Sequence, residues 1–142
     1  MRHKPFIILV LLLSVSFSTG CASFQQTGAD EYDVLGSAVS ACSYAMIGEY
    51  GASIPDNLTV EKFLQVSEKN IPGSYFKVLK KYVLDVKPKG SYYLLLVYGP
   101  DTNTLILFDY SCTPEPDGRV LLEPGKYDTN NLDLYDPCKE KR

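Results

Sequence analysis

Apolar residues between Asp30 and Tyr50 recur every three or four positions, which is the spacing of one face of an α-helix. They are Leu35, Val39, Cys42 and Met46. The first turn of this segment is acidic, and the helix dipole favours negative charge there. The pattern therefore predicts a helix over residues 30–50, ended by the glycine that follows.

One flank of this predicted helix carries unusually small side chains. They are Gly36, Ser37, Ser40, Ala41 and Ala45. A flank of this kind lets another element approach the helix closely. We interpret it as tight packing inside the domain rather than as a seam for a partner.

Two further helices are predicted downstream. Thr59 is suited to cap a helix whose apolar face carries Val60, Phe63, Leu64 and Ile71. Pro72 and Gly73 interrupt the pattern. A third helix is then predicted from Ser74 to about Val86, because its apolar residues other than Leu84 fall on one arc while Lys77, Lys80 and Lys81 fall on the opposite arc.

The pattern changes to β-favouring runs after residue 90. Tyr92 to Tyr98 fits a central strand covered on both faces, and a turn sequence separates it from Leu105 to Tyr110, so these two runs predict an antiparallel hairpin. A shorter strand is predicted over Arg119–Glu123 and an edge strand near Leu132–Tyr135. The order predicts an α+β fold, with about three N-terminal helices packed on a small antiparallel β-meander.

The size and charge of the chain narrow its class. It has 142 residues, of which 45% are hydrophobic, with 14 basic against 17 acidic side chains. A chain of this length predicts one domain. If residues 1–20 are removed, 12 basic residues remain against 17 acidic ones, a net charge of −5. This balance gives no basic surface for nucleic acid, and we expect no nucleic-acid partner.

Residues 1–20 have the parts of a secretory signal. Arg2, His3 and Lys4 form a basic start, Phe6–Leu13 is apolar, and small residues follow. The apolar run is shorter than the roughly 20 residues of a membrane-spanning helix, so we expect this segment to be cleaved.

The sequence Ser18-Thr19-Gly20-Cys21 resembles the lipobox of bacterial lipoproteins. The resemblance implies that Cys21 becomes the first residue of the mature chain and carries fatty acyl groups such as palmitate. Ala22 follows it, where enteric lipoproteins of the inner membrane tend to have aspartate. The resemblance therefore implies a lipid-anchored protein of the cell envelope, on the outer membrane and facing the periplasm in a Gram-negative cell.

These features divide the chain into three parts: a cleaved signal peptide (1–20), the lipidated Cys21 with a short tether (21–29), and a single globular domain (30–142). Eight extended tether residues at about 3.4 Å each span at most about 27 Å. We therefore expect the domain to work close to the membrane.

Three cysteines remain if Cys21 is lipidated, so at most one internal disulfide forms. Cys112 and Cys138 bracket the loop-rich C-terminal region, where a bond closing about 27 residues contributes ~3–4 kcal/mol. We favour this pair, although a bond from Cys42 to either of the others is the alternative. Cys42 lies on an apolar helix face, where a buried, unreactive thiol is common.

Catalytic and metal-binding motifs have little support. The single histidine, His3, lies in the predicted signal. Ser74 and Lys77 have the Ser-x-x-Lys spacing of penicillin-binding proteins, but the companion motifs are absent. The segment Asp128-Thr129-Asn130 matches the start of a calcium-binding loop, but the residues after it do not match the rest of that motif. We therefore interpret it as a solvated turn. We expect no metal and no cofactor, and we assign no role to the carboxylates of Asp109, Glu115 and Asp117.

Two surfaces remain as candidates for binding. Five lysines, Lys77, Lys80, Lys81, Lys87 and Lys89, form a basic stretch that fits a membrane or an acidic partner, although a solvated helix face is the commoner explanation. Four tyrosines, Tyr92, Tyr93, Tyr98 and Tyr110, form a sheet face that fits a ligand, although packing is again commoner.

The sequence therefore predicts a membrane-anchored envelope lipoprotein that acts as a non-catalytic binding, accessory or assembly subunit, with an envelope protein as its partner. The alternative is a periplasmic ligand-binding or inhibitor module that uses the tyrosine face. A small hydrolase is the third hypothesis.

Overall fold

The computed structural model describes residues 28–101, 104–112, 119–123 and 125–139. Its elements, in chain order, are α1 (Gly28–Tyr50), α2 (Val60–Asn70), α3 (Gly73–Leu79), β1 (Val83–Pro88), β2 (Tyr93–Tyr98), β3 (Leu105–Tyr110), β4 (Arg119–Leu121) and a 3₁₀ helix (Leu132–Tyr135). Three α-helices and an antiparallel four-stranded sheet make this an α+β fold. The predicted signal peptide and Cys21 lie outside the described residues.

The first helix forms where the apolar spacing predicts it. Leu35, Val39, Cys42 and Met46 are all completely buried. The helix ends at Tyr50, and the next residue, Gly51, has a positive φ of 65° and donates a backbone hydrogen bond to the Ile47 carbonyl at 2.8 Å. Glycine adopts this conformation without the steric cost that a side chain brings.

The second helix begins at the predicted cap. The Thr59 hydroxyl accepts a hydrogen bond from the Lys62 amide at 3.3 Å, which satisfies one of the free N–H groups of the first turn. At the other end, the amide of Ile71 donates to the Ser67 carbonyl at 2.9 Å. The helix buries Phe63 and Val66.

The prediction of one long third helix is wrong. Helix α3 ends at Leu79, and the chain turns and continues as strand β1. Six consecutive residues of β1 pair with β2, from Val83 opposite Tyr98 to Pro88 opposite Tyr93. The apolar positions of this segment fit a helical arc, but pairing with β2 satisfies its backbone groups in a way that local periodicity does not reveal.

The sheet has the strand order β1-β2-β3-β4, and every neighbouring pair is antiparallel. Strand β2 is central, and all its residues are buried except the half-buried Tyr98. Its side chains alternate between the two faces of the sheet. Tyr93, Leu95 and Val97 belong to one buried cluster, while Leu94 and Leu96 belong to another. The prediction of a strand covered on both faces is therefore confirmed.

The two clusters draw on different parts of the chain. The first cluster contains buried side chains of α1 and α2 together with those of β1, β2 and β3. The second cluster contains residues of the sheet and of the C-terminal segment, which we define as residues 125–139. Among the described residues, no helix combines the length and the apolar character needed to cross a membrane.

The C-terminal segment holds no edge strand near Leu132, so that prediction is wrong. Residues Leu132–Tyr135 form a 3₁₀ helix instead. The Tyr110 hydroxyl of β3 donates to the Leu132 carbonyl at 2.9 Å, and the side chains of Leu132 and Tyr135 pack against the second cluster. Contact with the face of the sheet replaces pairing with its edge.

Candidate functional site

The five candidate lysines do not form one helix face. Lys77 is on α3, Lys80 and Lys81 follow α3, Lys87 is on β1, and Lys89 follows β1. The predicted helical arc of Lys77, Lys80 and Lys81 is wrong, because α3 ends at Leu79, before four of the five lysines. These lysines are spread over two elements of different geometry.

Three of these lysines also have acidic neighbours. The distances from the lysine nitrogen to the nearest carboxylate oxygen are 3.8 Å for Lys81–Glu31, 3.8 Å for Lys87–Asp85 and 3.0 Å for Lys89–Asp133. These pairs are largely exposed, and such pairs contribute little to stability. They do reduce the net positive charge that this region offers to an anionic surface.

The tyrosine face is covered in the structure. Tyr92, Tyr93 and Tyr110 are 4%, 1% and 0% exposed. Tyr93 lies in the first buried cluster and the other two lie in the second. The hypothesis that these rings form an exposed binding face is therefore wrong, and the commoner explanation, packing within the domain, holds for these three.

Ser74 and Lys77 are both exposed. Ser74 lines a shallow concavity with Glu31, Val34, Val78 and Lys81, and Lys77 is not part of that lining. A lysine that activates a serine must lie within hydrogen-bonding reach of its hydroxyl. The arrangement gives no support to a Ser-Lys hydrolase.

Cys112 and Cys138 form a disulfide, with a Cα–Cα distance of 5.7 Å. This is the pairing that the sequence favours. Cys42 is free and completely buried, and burial raises the pKa of its thiol to about 11. A thiol with so high a pKa is almost wholly protonated at neutral pH and therefore a poor nucleophile.

The turn at Asp128 is built by a hydrogen bond within the chain. The Asn130 amide donates to a carboxylate oxygen of Asp128 at 3.0 Å. This is an Asx turn, in agreement with the interpretation as a turn. Within the described ranges, no group of three or more candidate ligand side chains could hold a metal ion.

A buried polar cluster lies where α1 meets β2 and β3. The Ser43 hydroxyl donates to a carboxylate oxygen of Asp109 at 3.1 Å, and it lies 3.3 Å from the Tyr93 hydroxyl. Asp109 is 3% exposed and Ser43 is 1% exposed. Their burial gives a substrate no access, so we interpret this cluster as a link between elements rather than as a catalytic centre.

Arg119 of β4 extends this cluster. Its Nη1 donates to the Ser40 hydroxyl of α1 at 3.0 Å. Its guanidinium lies against Gly36, where an added Cβ atom would be 2.8 Å from Nη1. The small flank of α1 therefore accommodates an arginine side chain, in line with the predicted close approach.

The carboxyl group of Asp109 has an unusual pKa. Burial raises this pKa from 3.8 to about 6, while the Ser43 hydrogen bond and the positive charge of Arg119 oppose the increase. Burial disfavours the charged form because the protein interior solvates it poorly. The carboxyl group therefore changes its charge near pH 6.

An apolar groove lies between the start of α1 and the end of β4, and we name it the α1–β4 groove. Its volume is about 350 Å³. The apolar side chains along it are Tyr32, Leu105, Ile106, Leu121, Leu122 and Tyr127, and Glu123, Thr104 and Thr129 are among its polar members. Tyr32 and Leu121 are 40% and 47% exposed, which is unusual for large apolar side chains placed together.

Sequence reasoning missed both the polar cluster and the groove. Asp109 is a single acid between Phe108 and Tyr110 in an apolar strand, and this was a usable signal for a buried charge. The groove had no such signal, because Tyr32 and Leu121 are 89 positions apart. Glu115 and Asp117, the other two carboxylates to which the sequence assigns no role, lie outside the described residues.

No protein-family model, curated protein or solved structure matches this chain. The functional argument therefore rests on the residues and their geometry.

Proposed function

We propose that this protein is a lipid-anchored lipoprotein of the cell envelope that acts as a non-catalytic binding, accessory or assembly subunit. Cys21 carries the anchor, and in a Gram-negative cell the domain faces the periplasm from the outer membrane. An envelope protein binds in the α1–β4 groove. The groove is the observation that carries this proposal.

The position of the groove relative to the tether supports this function. Helix α1 begins at Gly28, and Tyr32, one turn later, lines the groove. Four helical residues rise about 6 Å. The seven Cα-to-Cα steps from Cys21 to Gly28 span at most about 24 Å. The anchor thus keeps the groove within roughly 30 Å of the lipid surface.

The edge of β4 supports an extended segment as the occupant. The Leu122 amide donates to the Ile106 carbonyl at 2.9 Å, and Leu121 pairs with Leu107. Bonded and non-bonded pairs alternate in an antiparallel ladder, so the N–H and C=O of Leu121 point away from β3. An extended partner segment with apolar side chains would pair with these groups and fill the groove.

The fold gives this surface a rigid support. We propose that the N-terminal helices form one layer on a face of the sheet, because helix and strand residues share the first buried cluster. Arg119 joins β4 to α1 through Ser40. This hydrogen bond therefore holds β4, which forms one wall of the groove, against α1, which forms the other.

Photo-crosslinking in intact cells tests the partner. A benzoylphenylalanine at position 121 is expected to give a discrete adduct with an envelope protein, because this side chain borders the groove. Position 134 is the matched control, since Leu134 is also an exposed leucine, at 68%, and is not part of the groove lining. Tyr32→Glu should weaken the adduct from position 121. The same adduct from both positions would contradict the proposed surface.

Fractionation and intact-mass analysis test the anchor. Cys21→Ala, expressed behind a standard secretory signal so that cleavage still occurs, should move the protein from the membrane to the soluble fraction. The added mass of the acyl chains should disappear, because no sulfur remains to be acylated. Ser23→Ala is the control and should stay in the membrane fraction with its acyl mass. A Cys21→Ala protein that still sediments with membranes would show that something else attaches it.

A further inference from the structure

Asp109 occupies the junction of α1 with three strands of the sheet. It lies on β3, directly opposite Leu95 of β2 and Arg119 of β4, and it accepts the Ser43 hydrogen bond from α1 at 3.1 Å. The Tyr93 hydroxyl of β2 lies 3.3 Å from the same serine oxygen. A change of charge on this carboxyl group therefore acts where the elements meet.

The groups that face Asp109 keep their charge across the range from pH 5 to pH 8. Burial raises the pKa of Cys42 on α1 to about 11 and holds the pKa of Tyr93 on β2 well above its usual value. Both side chains therefore stay neutral. Arg119 on β4 stays positive, as arginine does in proteins. Asp109 is thus the member of this cluster whose charge changes.

Hydrogen bonding accommodates both forms of the carboxyl group. When Asp109 is ionised, the Ser43 hydroxyl donates to it. When Asp109 is protonated, its own O–H can donate to the serine oxygen, and the serine proton can turn to the Val39 carbonyl at 3.4 Å. The two forms differ mainly in whether a charge is buried beneath α1.

We propose that Asp109 is a pH-sensitive latch that holds α1 to the sheet more firmly when its carboxyl group is neutral. This latch depends neither on the lipid anchor nor on the α1–β4 groove. Its test is therefore separate from the tests of the proposed function.

The pKa of Asp109 determines whether the attachment of α1 strengthens or weakens as the pH rises. A folded-state pKa of about 6, against an ordinary 3.8, means that the folded protein binds this proton more tightly than the unfolded chain. The stabilising effect of the proton is present at acidic pH and is lost as the pH rises toward and through about 6. A pKa shift of this size makes the equilibrium constant for keeping α1 attached to the sheet about tenfold smaller at pH 7.5 than at pH 5.

Hydrogen-exchange mass spectrometry on the protein purified as the cell makes it tests the latch. After correction for intrinsic exchange rates, amides of α1 around Ser43 should lose about tenfold protection between pH 5 and pH 7.5. In the Asp109→Asn variant, which mimics the neutral form, the same amides should lose much less protection over this pH range. Asp85→Asn, an Asp-to-Asn change on β1, is the matched control and should behave like the unmodified protein. Equal pH dependence in the unmodified and Asp109→Asn proteins would overturn the proposal.

Carbon NMR of the Asp109 carboxyl group gives a second readout that needs no variant at this position. Its midpoint should lie near pH 6. Ser43→Ala should move the midpoint higher, because the hydrogen bond that favours the ionised form is lost. A midpoint near pH 4 in the unmodified protein would also overturn the latch.

Discussion

Gly36 shows how one residue determines what packs against α1. The Arg119 guanidinium lies so close that a Cβ atom at position 36 would be 2.8 Å from Nη1 and 2.9 Å from Cζ. Any larger residue must shift the guanidinium that donates the hydrogen bond to Ser40. The small flank predicts a close approach, and the structure shows that the approaching group is the side chain of Arg119.

A pair of glycine substitutions in α1 measures the value of this contact. Gly48 has no atom near the position of an added Cβ, so Gly48→Ala should raise the free energy of unfolding by up to about 1 kcal/mol through helix propensity. Gly36→Ala has the same propensity gain but displaces Arg119, which costs about 1 kcal/mol for a hydrogen bond. Urea denaturation should therefore give a lower free energy of unfolding for Gly36→Ala than for Gly48→Ala. Equal stabilisation would show that Arg119 moves without cost.

At the scale of elements, the spacing of apolar residues predicts the secondary structure correctly for the helices that bury one face. Helices α1 and α2 follow their apolar spacing, and the Thr59 cap lies where it is expected. The apolar spacing predicts helix for strand β1 because Val83 and Val86 fit a helical arc, with only Leu84 outside it. Pairing with β2, a contact between elements, decides between the two.

The C-terminal segment has little regular structure. Individual side-chain contacts, rather than backbone pairing, attach it to the sheet. The Tyr92 hydroxyl donates to Asp136 at 2.6 Å, and the other oxygen of this carboxylate accepts from the Cys138 amide at 2.9 Å. The rings of Tyr127 and Tyr135 pack against Phe108 on the sheet, edge-to-face and tilted respectively, with centroids 6.0 and 6.3 Å from it. The disulfide to Cys112 closes this arrangement.

Removing the disulfide should destabilise this attachment. A Cys112→Ser, Cys138→Ser double variant should lose about 3 kcal/mol in free energy of unfolding, because the unfolded chain is no longer constrained. Urea denaturation measures the loss. The double variant avoids a new unpaired thiol, and the same chain with both cysteines reduced should lose a similar amount.

Thiol counting provides the control for this pairing. In unfolded but unreduced protein, one of Cys42, Cys112 and Cys138 should react, and that residue should be Cys42. In folded protein it should react slowly, because it is completely buried and its pKa is raised. Reaction at Cys112 or Cys138 without reduction would show that the disulfide is absent.

At the scale of the whole molecule, contacts between distant parts of the chain make the sites. The Ser43–Asp109 bond joins residues 66 positions apart, and the Arg119–Ser40 bond joins residues 79 positions apart. The sheet carries one buried cluster shared with the helices and another shared with the C-terminal segment. Consequently, the tyrosines that resemble a binding face from the sequence are mostly used for packing.

The sequence by itself determined the α+β class, helices α1 and α2, the central strand β2 and the hairpin with β3. It also favoured the Cys112–Cys138 pair. These features depend on periodicity, capping or composition within a short stretch, and such signals are local. The predicted lipid anchor at Cys21 likewise comes from a short motif, and it remains a prediction.

Only the tertiary structure decided the end of α3, the strand character of β1, the burial of Asp109 and the existence of the α1–β4 groove. The strand character of β1 depends on backbone pairing with β2, the next element along the chain. The burial of Asp109 and the existence of the groove depend on partners far away in the chain, α1 for Asp109 and β4 for the groove wall opposite Tyr32. Side-chain burial and backbone pairing are set by the free energy of the assembled domain. A local window contains only one side of the contacts made by Asp109 and by the groove, and within the window that holds both β1 and β2 the helical spacing of apolar residues conceals the strand pairing.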